Sequence, residues 1–353
     1  MRDFTATAEP SGDEPATSGD GQPRFVIQEH HATALHWDLR LERDGVLVSW
    51  AVPKGLPPDP KRNHLAIQTE DHPMAYIDFE GDIPEGSYGG GHVALWDTGT
   101  YDLHEWKSGK VQVTFHGRRA RGRYALFRTR GNQWMIHRMD PPEDPDWTPP
   151  PEGMRPMRPV AGPLPTDDGW AFEVAWPGQR MLLEVEGGRA TATDVDGRDV
   201  STRWPEARLM AETMGTTQVV LDAIAIVPGP DGRPDAERLR RRIDAGATAV
   251  RRLSREEPGT LTLIDVLWLD GHLHINAAYR ERRAKLMDLQ LHGPRWQTPS
   301  HHDGDGAALL EAARGQGMPG LLAKRLDSPY RPGERSSDWV YVAADASSRT
   351  TSK

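Results

Sequence analysis

The sequence predicts two domains of different class, an N-terminal all-β barrel or sandwich and a C-terminal α+β domain. Residues 24–140 show short alternating apolar runs parted by turn signals. Ten prolines between 141 and 165 form a semi-rigid boundary. From about 168 onward, strand-like and helix-like patterns mix. The division expected is a first domain over 1–142, a linker over 143–167, a second domain over 168–344 and a loose tail over 345–353.

Taken in order, residues 1–23 are rich in Pro, Gly, Ser and acids, a composition that disfavours a packed core. Strands are expected at 25–28, 46–52, 92–96, 111–115 and 123–128. In the second domain they are expected at 180–186, 218–227 and 261–269, with helices at 235–245, 280–289 and 306–314. Asp303 and Asp305 are suited to cap the last helix, and Gly315 and Gly317 to end it. A chain of 353 residues can bury a core in each domain.

Strict alternation sends His36, Asp38, Arg40 and Glu42 to one face of a strand and Trp37, Leu39 and Leu41 into a core. The polar face is expected to enter a shared polar cavity, with His30 six residues upstream. Two His and one Asp are usual ligand types for a divalent first-row metal. Arg40 is the side chain suited to grip a phosphate oxygen with a planar fork. Continued alternation puts His64, Ala66, Gln68, Glu70 and His72 on one face of a second strand. The run 79–91 is dense in Gly and Pro, so its backbone either approaches a ligand or turns a barrel corner. An ordinary sheet with one solvated face would alternate in the same way. Such faces favour Lys, Glu, Thr and Ser over this choice of residues, but the residues alone leave both readings open.

The absence of cysteine excludes disulfides, zinc-thiolate sites and thiol nucleophiles, and suits a reducing compartment. No signal peptide or membrane span is evident, so a soluble, cytoplasmic protein without membrane partners is expected. A net charge of −9 argues against non-specific coating of nucleic acid. Yet 106–139 holds nine Lys and Arg and no acid, interleaved with Trp106, Phe115, Tyr124, Phe127 and Trp134. That stretch is either a nucleic-acid surface or a solvated basic hairpin over core aromatics.

The N-terminal part closely resembles the 3′-phosphoesterase module of bacterial DNA ligase D, over nearly all of residues 2–140. The match rests on Gln28-Glu29-His30, Leu35-His36-Trp37-Asp38-Leu39-Arg40-Leu41-Glu42, Ser49-Trp50-Ala51-Val52-Pro53-Lys54-Gly55, Glu70-Asp71-His72-Pro73 and the loop from Phe79 to Gly89. Arg2-Asp3-Phe4 with Glu9 resembles the family's short functional arm, which implies that these residues fold over the site. The resemblance implies a small β-barrel with a polar cavity, in which His30, His36 and Asp38 bind a manganese-type ion and Arg40, His72 and Tyr76 handle the substrate phosphate. It also implicates Lys54, Arg2, Asp3, Glu9, Gln28 and Glu70. The implied activity removes a 3′-terminal ribonucleoside and then the 3′-phosphate from DNA ends. The family commonly has Arg or Lys where this chain has His64. An imidazole there is expected to hold phosphate more weakly, at the expense of the doubly charged monoester.

The second domain resembles the adenylation domain of ATP-dependent DNA ligases, through Tyr279-Arg280-Glu281-Arg282-Arg283, Gly320 to Gly333 and Asp338-Trp339. This implies a nucleotidyltransferase-like fold. The family's Lys-x-Asp-Gly-x-Arg, whose lysine carries AMP, aligns with Ala175, Trp176, Pro177, Gly178, Gln179 and Arg180. Its Asp-Gly-Glu becomes Asp222-Ala223-Ile224, a later acid becomes Pro319, and two lysines become Tyr341 and Ala343. No other side chain trivially replaces the amine that must bond to phosphorus. The sequence is therefore read as an active 3′-end phosphoesterase of non-homologous end joining, nucleoid-associated, fused to a pseudo-ligase that uses no ATP. DNA 3′ ends, a Ku-type end-binding protein and a separate ligase or polymerase are the partners expected. The rival class is a non-catalytic DNA-binding or scaffolding protein.

Overall fold

The computed structural model describes residues 21–84 and 89–344 and divides into two compact units, Met1–Pro145 and Asp146–Lys353. The first is all-β. Its strands are β1 (Arg24–His31), β2 (Leu35–Arg43), β3 (Val46–Val52), β4 (His64–Gln68), β5 (His72–Pro73), β6 (Gly81–Ile83), β7 (Gly91–Lys107), β8 (Lys110–His116), β9 (Arg121–Arg130) and β10 (Gln133–Arg138). The pairing order β1-β2-β3-β4-β10-β9-β8-β7 is closed by a β1–β7 ladder, which makes an eight-stranded barrel. β5 adds to β3 and β6 to β7 outside that ring.

Alternation decides what fills the barrel. Phe25 and Ile27 of β1, Trp37, Leu39 and Leu41 of β2, and Trp50 and Val52 of β3 join Tyr101, Phe115, Tyr124, Leu126 and Trp134 in one core. An eight-stranded interior is just wide enough for side chains to fill it. The intervening residues of β1 to β3 therefore face outward, where a 3₁₀ turn at Met74–Asp78 covers them. Met74, Tyr76 and Ile77 pack there on Val26 and Leu47 in a second, smaller core.

The second unit is α+β, as expected. A six-stranded sheet is built around Gln179–Glu186, Val219–Ile226 and Thr260–Leu269. A five-stranded sheet holds Trp170–Val174 between Gly320–Arg325 and His302–Asp303. The expected helices lie at Ala236–Asp244, Tyr279–Asp288 and Gly306–Gly315, and two more at Pro205–Glu212 and Ala247–Glu256. Asp305 caps the last expected helix by accepting the Ala308 N–H at 3.2 Å.

The proline-rich stretch is not a free linker through its length. Beyond Pro145 it packs into the second unit: the Thr148 carbonyl accepts from Trp268 Nε1 (2.8 Å), the Met157 N–H donates to Tyr330 Oη (2.8 Å), and Arg158–Ala161 pairs in parallel with Arg335–Ala343. Proline suits such an edge, because it has no N–H to leave unpaired.

Between the sheets lies a buried ionic network. Lys324 Nζ donates to Glu173 Oε1 (2.9 Å) and to the Ile264 carbonyl (2.8 Å), and sits over the Trp339 ring at 4.4 Å. Arg282 clamps Asp265 with bonds of 2.9 and 3.0 Å. Truncating one partner of such a pair leaves the other charged and dry. Lys324→Ala is therefore expected to destabilise the chain by about 3–5 kcal/mol in urea unfolding. A loss below about 1 kcal/mol would show that Glu173 has other compensation.

Candidate metal centre

The register of three strands assembles the site on the outer wall of the barrel. In the β1–β2 hairpin His30 lies opposite His36, and Gln28 opposite Asp38; across the β2–β3 ladder Arg40 lies opposite Ser49. Directly opposed residues of an antiparallel pair share a face. The ligand atoms of His30, His36 and Asp38 all lie within 4.8 Å of one another. The expected convergence is found, but the expected inward cavity is not. The aromatic core occupies the interior, so the polar faces of β1 and β2 turn outward.

Backbone carbonyls set the two imidazoles. His36 Nδ1 donates to the Ala34 carbonyl (2.9 Å), which leaves the Nε2 lone pair 3.6 Å from Asp38 Oδ1. His30 Nε2 donates to the Gly89 carbonyl (2.9 Å), which leaves Nδ1 3.3 Å from Asp38 Oδ2. His30 Nδ1 is buried and makes no hydrogen bond. Two lone pairs thus face a carboxylate, an arrangement of acceptors that is unfavourable until a cation sits among them. Carbonyl-anchored imidazoles of fixed tautomer are what metal ligands ordinarily are. The donor set fits a first-row divalent ion.

The glycine-rich run supplies one of these anchors. Gly91 adopts φ +146°, and a Cβ there would lie 2.2 Å from the His31 carbonyl oxygen, so glycine lets this backbone close on the end of β1.

Arg40 organises the rest. Nε donates to Gln28 Oε1 (2.7 Å), Nη1 to Ser49 Oγ (2.9 Å) and His72 Nδ1 (3.0 Å), and Nη2 to Asp38 Oδ2 (2.9 Å). Burial alone would push the Asp38 carboxyl up; the Arg40 charge beside it opposes this, and Asp38 is held well below the usual carboxylate range. The forked grip on phosphate expected of Arg40 needs correction. The protein occupies four of its five N–H groups, so one remains for a substrate oxygen unless a partner is released.

Gln28 donates from Nε2 to the carbonyls of Tyr76 (3.2 Å) and Phe79 (2.8 Å), fixing the 3₁₀ cover to the barrel wall. Tyr76 is stacked edge-on against His72 at 4.9 Å, with Arg40 5.1 Å from its ring centre. Ser49, which sequence reasoning missed as a site residue, is fully buried and donates its hydroxyl hydrogen bond to the Leu47 carbonyl (2.9 Å). Its signals were a serine among apolar neighbours on the alternating strand β3 and its place at the head of the matched stretch Ser49 to Gly55.

His64 shares the inward face of β4 with Ala66 and bonds the Gly55 carbonyl through Nδ1 (2.8 Å), so it lies on the opposite side of the barrel wall from Arg40. Lys54 is exposed on the turn after β3. The Glu70 side chain is exposed, while its carbonyl lies 2.9 Å from His72 Nδ1. Arg2, Asp3 and Glu9 lie outside the described residues. Of the basic stretch, Phe115, Tyr124 and Trp134 belong to the barrel core and offer no face to a base.

In the second unit the substituted ligase positions gather. Ala175 follows Trp170–Val174, and its N–H bonds the Gly320 carbonyl (2.9 Å). Tyr341 Oη donates to the Pro319 carbonyl (3.0 Å). Ile224 and Trp176 pack with Leu322 and Trp339 in an apolar cluster. Arg180 retains a two-point clamp on Asp222 (3.0 and 2.6 Å).

Residues 28–128 match the family model of the DNA ligase D 3′-phosphoesterase domain, and residues 164–342 that of the ATP-dependent DNA ligase domain. The multifunctional non-homologous end joining DNA repair protein LigD of Mycobacterium tuberculosis (strain CDC 1551) is 41% identical over 96% of this chain and 44% of its own length. The LigD of Pseudomonas aeruginosa is 33% identical over 96% of this chain and 46% of its own. The chain therefore spans less than half the length of these relatives. The crystal structure of the ligase domain from M. tuberculosis LigD aligns at 31% identity with a TM-score of 0.46, covering 53% of this chain and 58% of that one. Among the described residues no helix is long and apolar enough to cross a membrane.

The geometry predicts one ion per chain at the barrel wall. Calorimetric titration of the full chain with Mn²⁺ is expected to show one site whose affinity falls at least about tenfold in His36→Ala and in Asp38→Asn. Unchanged affinity in both variants would place the ion elsewhere.

Proposed function

Because this chain belongs to the DNA ligase D family, with a 3′-phosphoesterase domain followed by an ATP-dependent DNA ligase domain, we propose that its barrel is a metal-dependent phosphoesterase that processes DNA 3′ ends. The carrying observation is the pair of imidazole lone pairs aimed with Asp38 at one point beside Arg40. His30, His36 and Asp38 would hold Mn²⁺ or another first-row divalent ion, which supplies Lewis-acid polarisation of a phosphoryl oxygen.

The protein's own groups account for the remainder. Arg40 holds positive charge beside the cluster and has one N–H for an oxygen that gains charge in the transition state. His72 Nδ1 lies 3.0 Å from the Arg40 Nη1 donor and 2.9 Å from the Glu70 carbonyl acceptor, so each tautomer of the ring has a partner there. His72 would serve the substrate or leaving-group oxygen as a general acid or as a neutral hydrogen-bond donor. Gln28 and Ser49 fix the guanidinium plane, and Tyr76 packs edge-on against the His72 ring. The substrates we infer are DNA ends with a 3′-terminal ribonucleoside or a 3′-phosphate, met during non-homologous end joining in the cytoplasm at the nucleoid. A Ku-type protein and a separate ligase or polymerase are the partners inferred.

For the second unit we propose a pseudo-ligase that uses no ATP. From Asp146 onward the chain has three lysines, Lys285, Lys324 and Lys353. Lys324 is locked to Glu173 in the interior, and Lys285 lies on the helix Tyr279–Asp288. The nucleophile position is Ala175, and the Ile224, Trp176 and Trp339 cluster offers apolar walls where a triphosphate needs donors and metal.

The test is incubation with primer-templates ending in a 3′-phosphate or a single 3′-ribonucleotide. Wild type with Mn²⁺ is expected to leave a clean 3′-hydroxyl. Arg40→Ala is expected to slow trimming about 10²-fold or more, and His36→Ala to abolish it. No metal-dependent trimming by wild type would favour the non-catalytic scaffold. Radiolabelled ATP should leave no covalent adenylate on the chain; a labelled band would refute the pseudo-ligase reading.

A further inference from the structure

The same barrel carries a preformed basic turn that the metal centre does not use. Residues 117–120, between β8 and β9, close on the carboxylate of Asp97. Its Oδ1 accepts the Arg118 N–H (3.1 Å), and its Oδ2 accepts those of Arg119 (2.9 Å) and Ala120 (2.7 Å). The Gly117 N–H closes the turn onto the Ala120 carbonyl at 2.9 Å. Asp97 and Ala120 are buried, and Gly117 leaves room for the clamp, since a Cβ there would lie 2.3 Å from Asp97 Oδ2.

Asp97 fixes the turn's backbone without neutralising its side chains. Arg118, Arg119 and Arg121 are exposed. Arg119 lies over the Trp96 ring at 5.4 Å, and Arg121 Nε donates to the Gly117 carbonyl (2.9 Å). Among the described residues none of the three is ion-paired. This is a fixed island of positive charge on a chain of net charge −9. Groups ordered in advance avoid the entropy cost of being ordered on binding.

The strand that anchors the turn, β7, also pairs with the strand that carries His30. Along the β1–β7 ladder Asp97 pairs with Ile27, and Val93 with His30. Three residues of strand span about 10 Å.

We propose that the Arg118-Arg119-Arg121 turn clamps the phosphate backbone of the nucleic-acid strand whose 3′ end lies at the His30, His36 and Asp38 cluster. The proposal rests on the 3′-end reading for the identity of that strand. Its chemistry is sequence-independent: guanidinium to phosphate, with counterion release on binding.

The test compares wild type with Arg118→Gln/Arg119→Gln/Arg121→Gln. A control, Arg128→Gln/Arg130→Gln, removes charge from the opposite end of β9. Fluorescence anisotropy gives binding of a recessed 3′-end primer-template across a salt series. Kinetics are read on the same DNA and on bis(p-nitrophenyl) phosphate with Mn²⁺. The triple variant is expected to lose about two to three units of the log–log salt slope and to raise KM for DNA about tenfold or more. Its rate on the small diester should stay at the wild-type level. An unchanged slope, an equal slope loss in the control, or a parallel fall on the small diester would each overturn the clamp. If wild type does not cut DNA but the triple variant still loses slope, the 3′-end reading fails and the clamp stands.

Discussion

The guanidinium of Arg40 is the constraint on which the barrel's outer wall depends. It is buried, it always carries charge, and its partners come from every element that frames the site: Gln28 on β1, Asp38 on β2, Ser49 on β3 and His72 on the added strand. A buried cation without partners is costly, so the strands must hold these partners in place. In return, the fixed guanidinium keeps Asp38 ionised against its burial. Without Arg40, burial would favour a protonated carboxyl and the three-ligand cluster would lose its only negative charge.

How this site looks outward follows from barrel geometry. An eight-stranded ring has room for one layer of side chains, and Trp37, Trp50 and Trp134 with their neighbours take it. A polar cluster needing solvent and substrate access then has to sit on the outer face. It needs a partial cover to be dry enough for strong electrostatics, and the 3₁₀ turn with Tyr76 provides one. Gln28 links the two demands, since one side chain both orients Arg40 and ties down the cover.

The alternation in β2 was legible because nine consecutive residues are regular strand, so parity alone groups His36, Asp38 and Arg40. Opposition of His30 to His36 follows once those two strands pair as a hairpin. Parity failed where the strand is broken. His64 and His72 are an even number apart and read as one face, but β4 ends at Gln68, and the chain resumes as a separate strand on β3 at His72. The intervening turn reverses the facing, so His64 goes inward and His72 outward. Ser49 and the carbonyls of Ala34 and Gly89 were not legible for another reason. Their contribution lies in a hydroxyl or backbone group whose direction depends on register, which residue type does not encode. The long strand β7 was also under-read, since its polar outer residues and the bulge near Trp96 interrupt the apolar pattern.

In the second unit, the physical cost of each substitution explains why a ligase-like frame can persist with Ala175, Pro319, Tyr341 and Ala343 in place. Replacing an amine at the exit of Trp170–Val174 by a methyl group strands no buried charge. The backbone bond from Ala175 to Gly320 needs no side chain at all. Tyr341 and Pro319 satisfy each other through a hydroxyl-to-carbonyl bond, and Ile224 joins an apolar cluster that gains area from it. Lys324 and Glu173, or Arg180 with Asp222 and Tyr330, are different. Each is a desolvated set in which single loss leaves an unpaired charge or acceptor. Folding therefore constrains the interior ionic sets far more tightly than the rim where a nucleotide would react. On the proposed pseudo-ligase reading, a chain that keeps the interior sets while its rim changes is one whose second unit is held by the demands of its own fold.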